Sequence, residues 1–245
     1  MIKTLPNRYP ELGRLRLGEK STDPKKPGKP LDNWRLTSPD KGLLMAMGGI
    51  YGIKGEIKPW EKGQFEVVID SNEIDVMLPA DPWSAYYELW TKAGCQRRCD
   101  GQTAMVPYKD PEGGGLDNVD CVCLSEGKMP GTGLDVCSPN GRLSVVMLDT
   151  PGVGVWLMTT SSINACMEIE AQVELLERTG TFPAYGKLAI EHRTVKKSWE
   201  SFERKFNVPT LRLAGTLRNM VAGAAATPAL PQVQGGQDEA QGDAF

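Results

Sequence analysis

The sequence predicts an α+β fold, a mostly antiparallel β-sheet with few helices and an inserted zinc-binding loop region. Three observations point there. Short β-branched or aromatic runs separated by turn chemistry dominate the chain. Two stretches carry helix start and stop signals, and no regular strand–helix alternation of the kind that builds a parallel sheet is present. The 245 residues suit one or two domains. The organisation read from composition is a basic N-terminal arm over 1–31, a single α+β domain over 32–213 with a cysteine-rich subregion at 94–141, and a mostly disordered tail over 214–245.

Taken in order, Asp40 to Tyr51 opens on Ser38-Pro39-Asp40, a helix-start signature, and closes in glycines suited to a C-terminal cap, which predicts a short helix. Gly55 to Trp60, Gln64 to Ile69 and Glu73 to Leu78 follow as strands of a meander, separated by Glu-Lys-Gly and Asp-Ser-Asn. Ala85 to Trp90 reads as another strand. Arg142 to Leu148 and Val153 to Thr159 form two more around the turn Asp149-Thr-Pro-Gly152. Ser161 or Ser162 caps a second helix, whose apolar positions Ile163, Cys166, Ile169, Val173 and Leu176 step by three and four up to a stop at Gly180. Lys187 to Thr194 and Phe206 to Leu213 complete the sheet. From about Val221 the Ala/Gly/Pro/Gln-rich tail has too little large apolar surface to fold alone.

Composition excludes several classes. At 40% apolar and 24% charged, the chain is neither a disordered polyelectrolyte nor a membrane protein. Its longest apolar stretch, Leu43 to Ile53, is interrupted by glycines and falls short of the ~18–20 residues that span a bilayer. Met1 to Gly18 has no apolar signal core, so a cytoplasmic location is expected. The net charge of −3 argues against a protein that holds DNA by itself. Charge is uneven, however: Met1 to Pro30 has eight Lys and Arg against three acids, a solvated Pro/Lys loop or an auxiliary contact to nucleic acid or an acidic partner.

Five of the six cysteines fall between Cys95 and Cys137, as C-x3-C, then C-x-C after 21 residues, then a last Cys after 13 more. In a reducing compartment these are thiols or metal thiolates before they are disulfides. Tetrahedral zinc needs four N or S ligands, with Zn–S near ~2.3 Å, and short paired spacings from two loops deliver them. The favoured set is Cys99, Cys121, Cys123 and Cys137, with Cys95 in reserve; the alternative is a set of free thiols. The connector Asp110 to Asp117 is glycine-rich and reads as flexible, so a metal would fix its ends. A zinc with four thiolates has no open position for water, so it folds a site and does not hydrolyse. Arg97 and Arg98 either offset the thiolate charge or pair with Asp100.

Other motifs lead to ordinary explanations. His192 stands alone as the chain's histidine and cannot supply the two or three imidazoles of many catalytic zinc sites. Asp149-Thr-Pro-Gly152 after a strand looks like a GTPase switch, but the nearest phosphate-loop match, Gly180 to Leu188, has one residue too many and follows it. Trp60, Trp83, Tyr86, Tyr87 and Trp90 are stacking platforms for single-stranded nucleic acid or, on strands, packing residues.

Asp32-Asn-Trp-Arg-Leu-Thr-Ser-Pro-Asp40, Tyr87-Glu-Leu-Trp90, Gly94 to Gly101, Cys121-Val-Cys123, Cys137, Arg142-Leu-Ser, Gly154-Val-Trp156 and Val208-Pro-Thr-Leu211 together resemble the recombination directionality factors of temperate actinobacteriophages, Streptomyces phages among them. The resemblance spans roughly Leu31 to Leu213. It implies a non-enzymatic protein of the bacterial host's cytoplasm. Such a factor binds a phage large serine integrase around its coiled-coil and zinc-ribbon region, without reading DNA sequence. It switches the integrase from attP × attB integration to attL × attR prophage excision and inhibits integration. It also implies structural Zn2+ on Cys99, Cys121, Cys123 and Cys137. No motif for integrase-contacting residues comes with it. A zinc-binding phage DNA-replication factor or a metal-dependent hydrolase is the rival, and would need an open metal position.

Overall fold

The computed structural model describes residues 9–19, 28–110, 113–121, 137–180, 182–195 and 204–214, with backbone alone for 107–110, 113–116, 195 and 204–205. Most of the basic arm (1–8 and 20–27), Cys123 and all but the first residue of the tail lie outside these residues.

The chain runs β1 (Glu11–Glu19), β2 (Lys29–Ser38), α1 (Lys41–Tyr51), β3 (Lys58–Pro59), a 3-10 turn (Glu61–Gly63), β4 (Phe65–Val68), β5 (Glu73–Leu78), β6 (Trp83–Thr91), β7 (Gly94–Cys99), β8 (Thr103–Asp110), β9 (Gly113–Asp120), β10 (Ser138–Met147), β11 (Val155–Thr160), α2 (Ile163–Thr179), β12 (Ala184–Val195) and β13 (Arg204–Leu213). Strands dominate and the described residues hold two α-helices, as the turn chemistry predicts.

The long sheet has the order β3-β4-β2-β1-β11-β10-β6-β7-β8-β9, and β5-β12-β13 branch from it. The branch exists because β10 serves three neighbours: Ser138 to Leu143 pair with β6, Gly141 to Val145 with β11, and Val146 and Met147 with β5. Backbone and side-chain bonds fold the branch back over β2: Trp34 Nε1 donates to Asn72 O at 3.1 Å, Ile190 N to Asn72 O at 2.9 Å, and Asn207 Nδ2 to Leu31 O at 2.7 Å.

The described ladders are antiparallel except β1 with β11, so the sheet is mixed. Glu11–Glu19, read above as part of a basic arm, is in fact an interior strand between β2 and β11. Its alternation explains this: Gly13 and Leu15 face the core while Arg14 and Arg16 face away. A Cβ at Gly13 would stand 2.4 Å from Thr37 O and 2.6 Å from Trp156 Cζ3, so glycine lets β1 close onto both neighbours. The glycine-rich connector is corrected too. Thr103–Asp110 and Gly113–Asp120 pair residue for residue as a hairpin, from Thr103↔Asp120 to Asp110↔Gly113. Backbone bonding suffices to hold glycines in an edge ladder, whatever their lack of apolar surface.

One core lies between the two sheets. It joins Leu15, Trp34, Leu36, Leu143, Trp156 and Met158 of the long sheet to Ile74, Val76, Leu188, Ile190 and Leu211 of the branch. The helices close it with Leu43, Leu44 and Met47 of α1 and Ile169, Val173 and Leu176 of α2. Both helices are capped as predicted: Asp40 Oδ1 accepts from Leu43 N at 3.1 Å, Ser162 Oγ from Ala165 N at 3.4 Å, and Gly180 ends α2 in the left-handed region at φ 63°. Each such cap contributes about 1 kcal/mol. No helix among the described residues is long and apolar enough to cross a membrane.

Candidate functional site

The cysteines gather where β6, β7 and β8 run past the end of the double-sheet core. Cys99 closes β7, opposite Tyr87 on one side and Ala104 on the other. The turn after it is built by Asp100, whose Oδ1 accepts from Gln102 N at 2.8 Å and Thr103 N at 2.7 Å, and those amides hold its carboxyl below the ordinary range. Gly101, at φ 103°, turns its N–H onto Cys99 Sγ at 3.1 Å. Cys121 is set beside it by its own N–H, which donates to Gln102 O at 2.7 Å.

The three described cysteines of the favoured set form a chain of neighbours. Cys99 and Cys121 share a side-chain hydrogen bond, and Cys121 packs against Cys137 together with Tyr87 and Leu89. Burial first, then Cys121, pushes the Cys99 thiol up to about 11, against the opposing Gly101 amide. Both Cys99 and Cys137 are buried. Cys123, the fourth of the set, lies outside the described residues. Among the described residues no three His, Cys, Asp or Glu side chains are grouped closely enough to hold an ion.

The reserve residue, Cys95, is elsewhere: four residues along β7, about 13 Å at strand rise, with Sγ donating to Arg97 O at 3.3 Å. Cys166 is buried in α2, its Sγ 4.0 Å from Thr160 O. His192 is exposed on β12 with Nδ1 2.8 Å from Asn207 Oδ1. Arg98 pairs with neither the thiols nor Asp100. Strand alternation sends it to the opposite face, where its Nε meets Glu88 Oε1 at 2.8 Å.

Glu88 was not singled out by sequence reasoning. Its carboxylate, 1% exposed, accepts from Arg98, Trp90 Nε1 at 2.8 Å, Asn140 Nδ2 at 2.5 Å and Arg142 NH2 at 2.8 Å to both oxygens. Burial raises the carboxyl's pKa, but these donors and the Arg142 charge outweigh it and bring it to about 2. The available signal was an acid flanked by aromatics in mid-strand, within Tyr87-Glu-Leu-Trp90. The cross-strand partners Asn140 and Arg142 are more than fifty residues away.

A family model described as Gp3-like, recombination directionality factor-like, matches residues 12–214, a span that holds the cysteine edge and both sheets. The chain belongs to this family. No curated protein and no solved structure matches it. The matched span begins one residue into β1 and ends one residue after β13, so the Gp3-like unit takes in the whole described fold, β1 included. Family membership makes DNA recombination its process and a recombinase its general class of partner.

Proposed function

We propose that this Gp3-like protein binds the large serine integrase of a temperate actinobacterial phage and redirects it from attP × attB to attL × attR, promoting prophage excision and inhibiting integration. The observation that carries the reading is the family match over 12–214. The factor acts by contact, around the integrase's coiled-coil and zinc-ribbon region, and performs no catalysis of its own. A partner that binds one arrangement of the integrase more tightly than another shifts its equilibrium by that difference, tenfold for each ~1.4 kcal/mol, and a multimeric synapse multiplies the effect.

The cysteine edge is proposed as a structural Zn2+ site on Cys99, Cys121, Cys123 and Cys137. Its support is the donor set: Cys121 adjoins Cys99 on one side and Cys137 on the other, and the Gly101 N–H aimed at Cys99 Sγ favours a thiolate there. Bound there, the metal supplies a crosslink between β7, the start of β10 and the segment after β9.

The test is recombination by purified cognate integrase on attP × attB and attL × attR substrates at matched salt, with and without the protein. Gain of attL × attR recombination with loss of integration is expected. An active integrase whose two reactions are unchanged overturns the proposal.

A further inference from the structure

α2 has two apolar faces, and the described fold uses one of them. Ala165, Cys166, Ile169, Val173 and Leu176 are buried, and the helix packs on β6, β10 and β13. On its other side Ile163, Met167, Ala171 and Leu175 step by four along the whole helix and are exposed, Met167 by 65% and Leu175 by 45%. Ile163, which spacing alone groups with the core stripe, belongs to this outer ridge at 44% exposure. At about 100° per residue the two faces are nearly opposite, and a surface helix ordinarily carries polar residues there. Resting on the integrase-binding reading, we propose that this ridge of α2 docks an amphipathic helix of the recombinase whose apolar stripe is flanked by Lys or Arg.

Charge selects that partner. α2 has four glutamates and one arginine. Glu168 is taken by Arg193, whose NH2 reaches Oε2 at 2.7 Å, and Glu174 by Arg178. Glu170 accepts from the neutral Trp83 Nε1 at 2.8 Å, and Glu177 has no side-chain partner among the described residues, so both keep an uncompensated charge. The two are one heptad apart, about 10 Å along the axis, on the same flank of the ridge, as are the charged residues beside a coiled-coil seam. Basic residues opposite them would steer the partner and set its register, while the ridge supplies the apolar burial. Glu177 also stands in the last turn of α2, where a negative charge opposes the helix dipole. The described fold gains nothing from an acid there; a complex with a basic helix would.

The ridge is also held in place and shaped for a helix. Ser162 and Gly180 fix the two ends of α2, and Arg193 and Trp83 tie it to the sheets through Glu168 and Glu170, so the surface is preformed. Ala171 leaves a gap between the longer Met167 and Leu175. Side chains four apart form the ridges that interdigitate in the commonest class of helix–helix packing. α1 exposes Met45 and Ile50 too, but Lys41 is its one charged residue, so no complementary flank selects a partner there.

The experiment measures binding of the full chain to purified cognate integrase at low and high salt, with attL × attR recombination, urea unfolding, and sedimentation of the factor alone. Met167→Glu puts a charge on the ridge at an exposed position, so it should keep the parent urea midpoint and weaken integrase binding about tenfold or more, with matching loss of switching. Glu177→Lys relieves the dipole contact, so its midpoint should be equal or higher, yet binding should fall roughly threefold at low salt and less at high salt. Val153→Glu, at a residue 93% exposed in the β10–β11 turn, should bind within about twofold of the parent. A parent protein that switches integrase while folded Met167→Glu binds as tightly overturns the surface and leaves the integrase reading standing; a parent that neither binds nor switches overturns both. Undiminished low-salt binding by Glu177→Lys overturns the basic partner. Self-association of the parent that Met167→Glu abolishes, with integrase binding unchanged, gives the ridge to a second copy of the chain and overturns the proposal.

Discussion

Leu15 and Trp34 are buried between two sheets and against two helices, in a core that unites more than twenty side chains. At the other end of the same long sheet Cys99 and Cys137 are also buried, yet the apolar cluster around Cys137 consists of Tyr87, Leu89 and Cys121. Ladder hydrogen bonding is continuous from one region to the other, through β10, β6 and β7. What changes is the second layer: β5, β12 and β13 cover the core region, and the hairpin β8–β9 extends beyond that cover. Where no described element opposes one face, a sheet needs something other than hydrophobic burial to define it. At this edge the candidates are the sulfur atoms and, on the reverse face, the Glu88 network.

The largest effect should come from the covered region. Trp34 is fully buried and its Nε1 is bonded to Asn72 O, so Trp34→Ala should cost about 3–5 kcal/mol through cavity and lost burial. Urea unfolding should show one lower midpoint for the whole chain. If the loss were below 1 kcal/mol, the two-sheet core would not be the principal source of stability.

Next is Glu88, which spans the boundary by tying β6 to β7 and β10. Its folded pKa of about 2 lies below the ordinary 4.5, so its contribution is complete above about 4.5 and is lost as pH falls toward 2. The shift corresponds to roughly 3 kcal/mol for a carboxylate this buried. Glu88→Gln removes that pH dependence and leaves Arg142 and Arg98 facing a neutral amide, so it should destabilise by a comparable amount at neutral pH. Unfolding free energies measured from pH 6 to 2.5 check both; parallel pH profiles for the two proteins would remove Glu88 from the account.

At the cysteine edge, Cys121→Ser with Cys123→Ser should abolish bound zinc and raise protease sensitivity between residues 99 and 137. The core's urea midpoint should move by less than about 1 kcal/mol. Metal content by mass spectrometry and limited proteolysis read the two effects separately. Unchanged metal content in the double variant sinks the ligand set.

How far the sequence revealed these regions follows the same division. Local signals were legible: Ser162 and Gly180 bound α2, Asp40 caps α1, and the run Glu73–Leu78 is β5 at both ends. Cysteine spacing nominated Cys99, Cys121, Cys123 and Cys137 together, and of these the described residues set Cys121 beside Cys99 and Cys137. The parallel pairing of Glu11–Glu19 with β11 was not legible, because its partner is about 140 residues away and the Arg14/Arg16 alternation looks like a charged arm when read alone. The β8–β9 hairpin escaped because glycine propensity describes side chains, and a ladder is made of backbone. Glu88 escaped because it gains its meaning from partners on other strands.

The smallest effect is expected at His192. It is on β12, in the covered region, and its ring nitrogen meets Asn207 Oδ1 at the surface. Asn207 keeps its own bond to Leu31 O through Nδ2, so truncating the imidazole leaves that tie in place. An exposed side chain with one replaceable hydrogen bond contributes within about 0.5 kcal/mol. His192→Ala should therefore retain stability and should switch integrase within a few-fold of the parent protein. Both the urea midpoint and the attL × attR assay are needed, because a folded variant that had lost all switching would assign chemistry to a region that otherwise serves as scaffold.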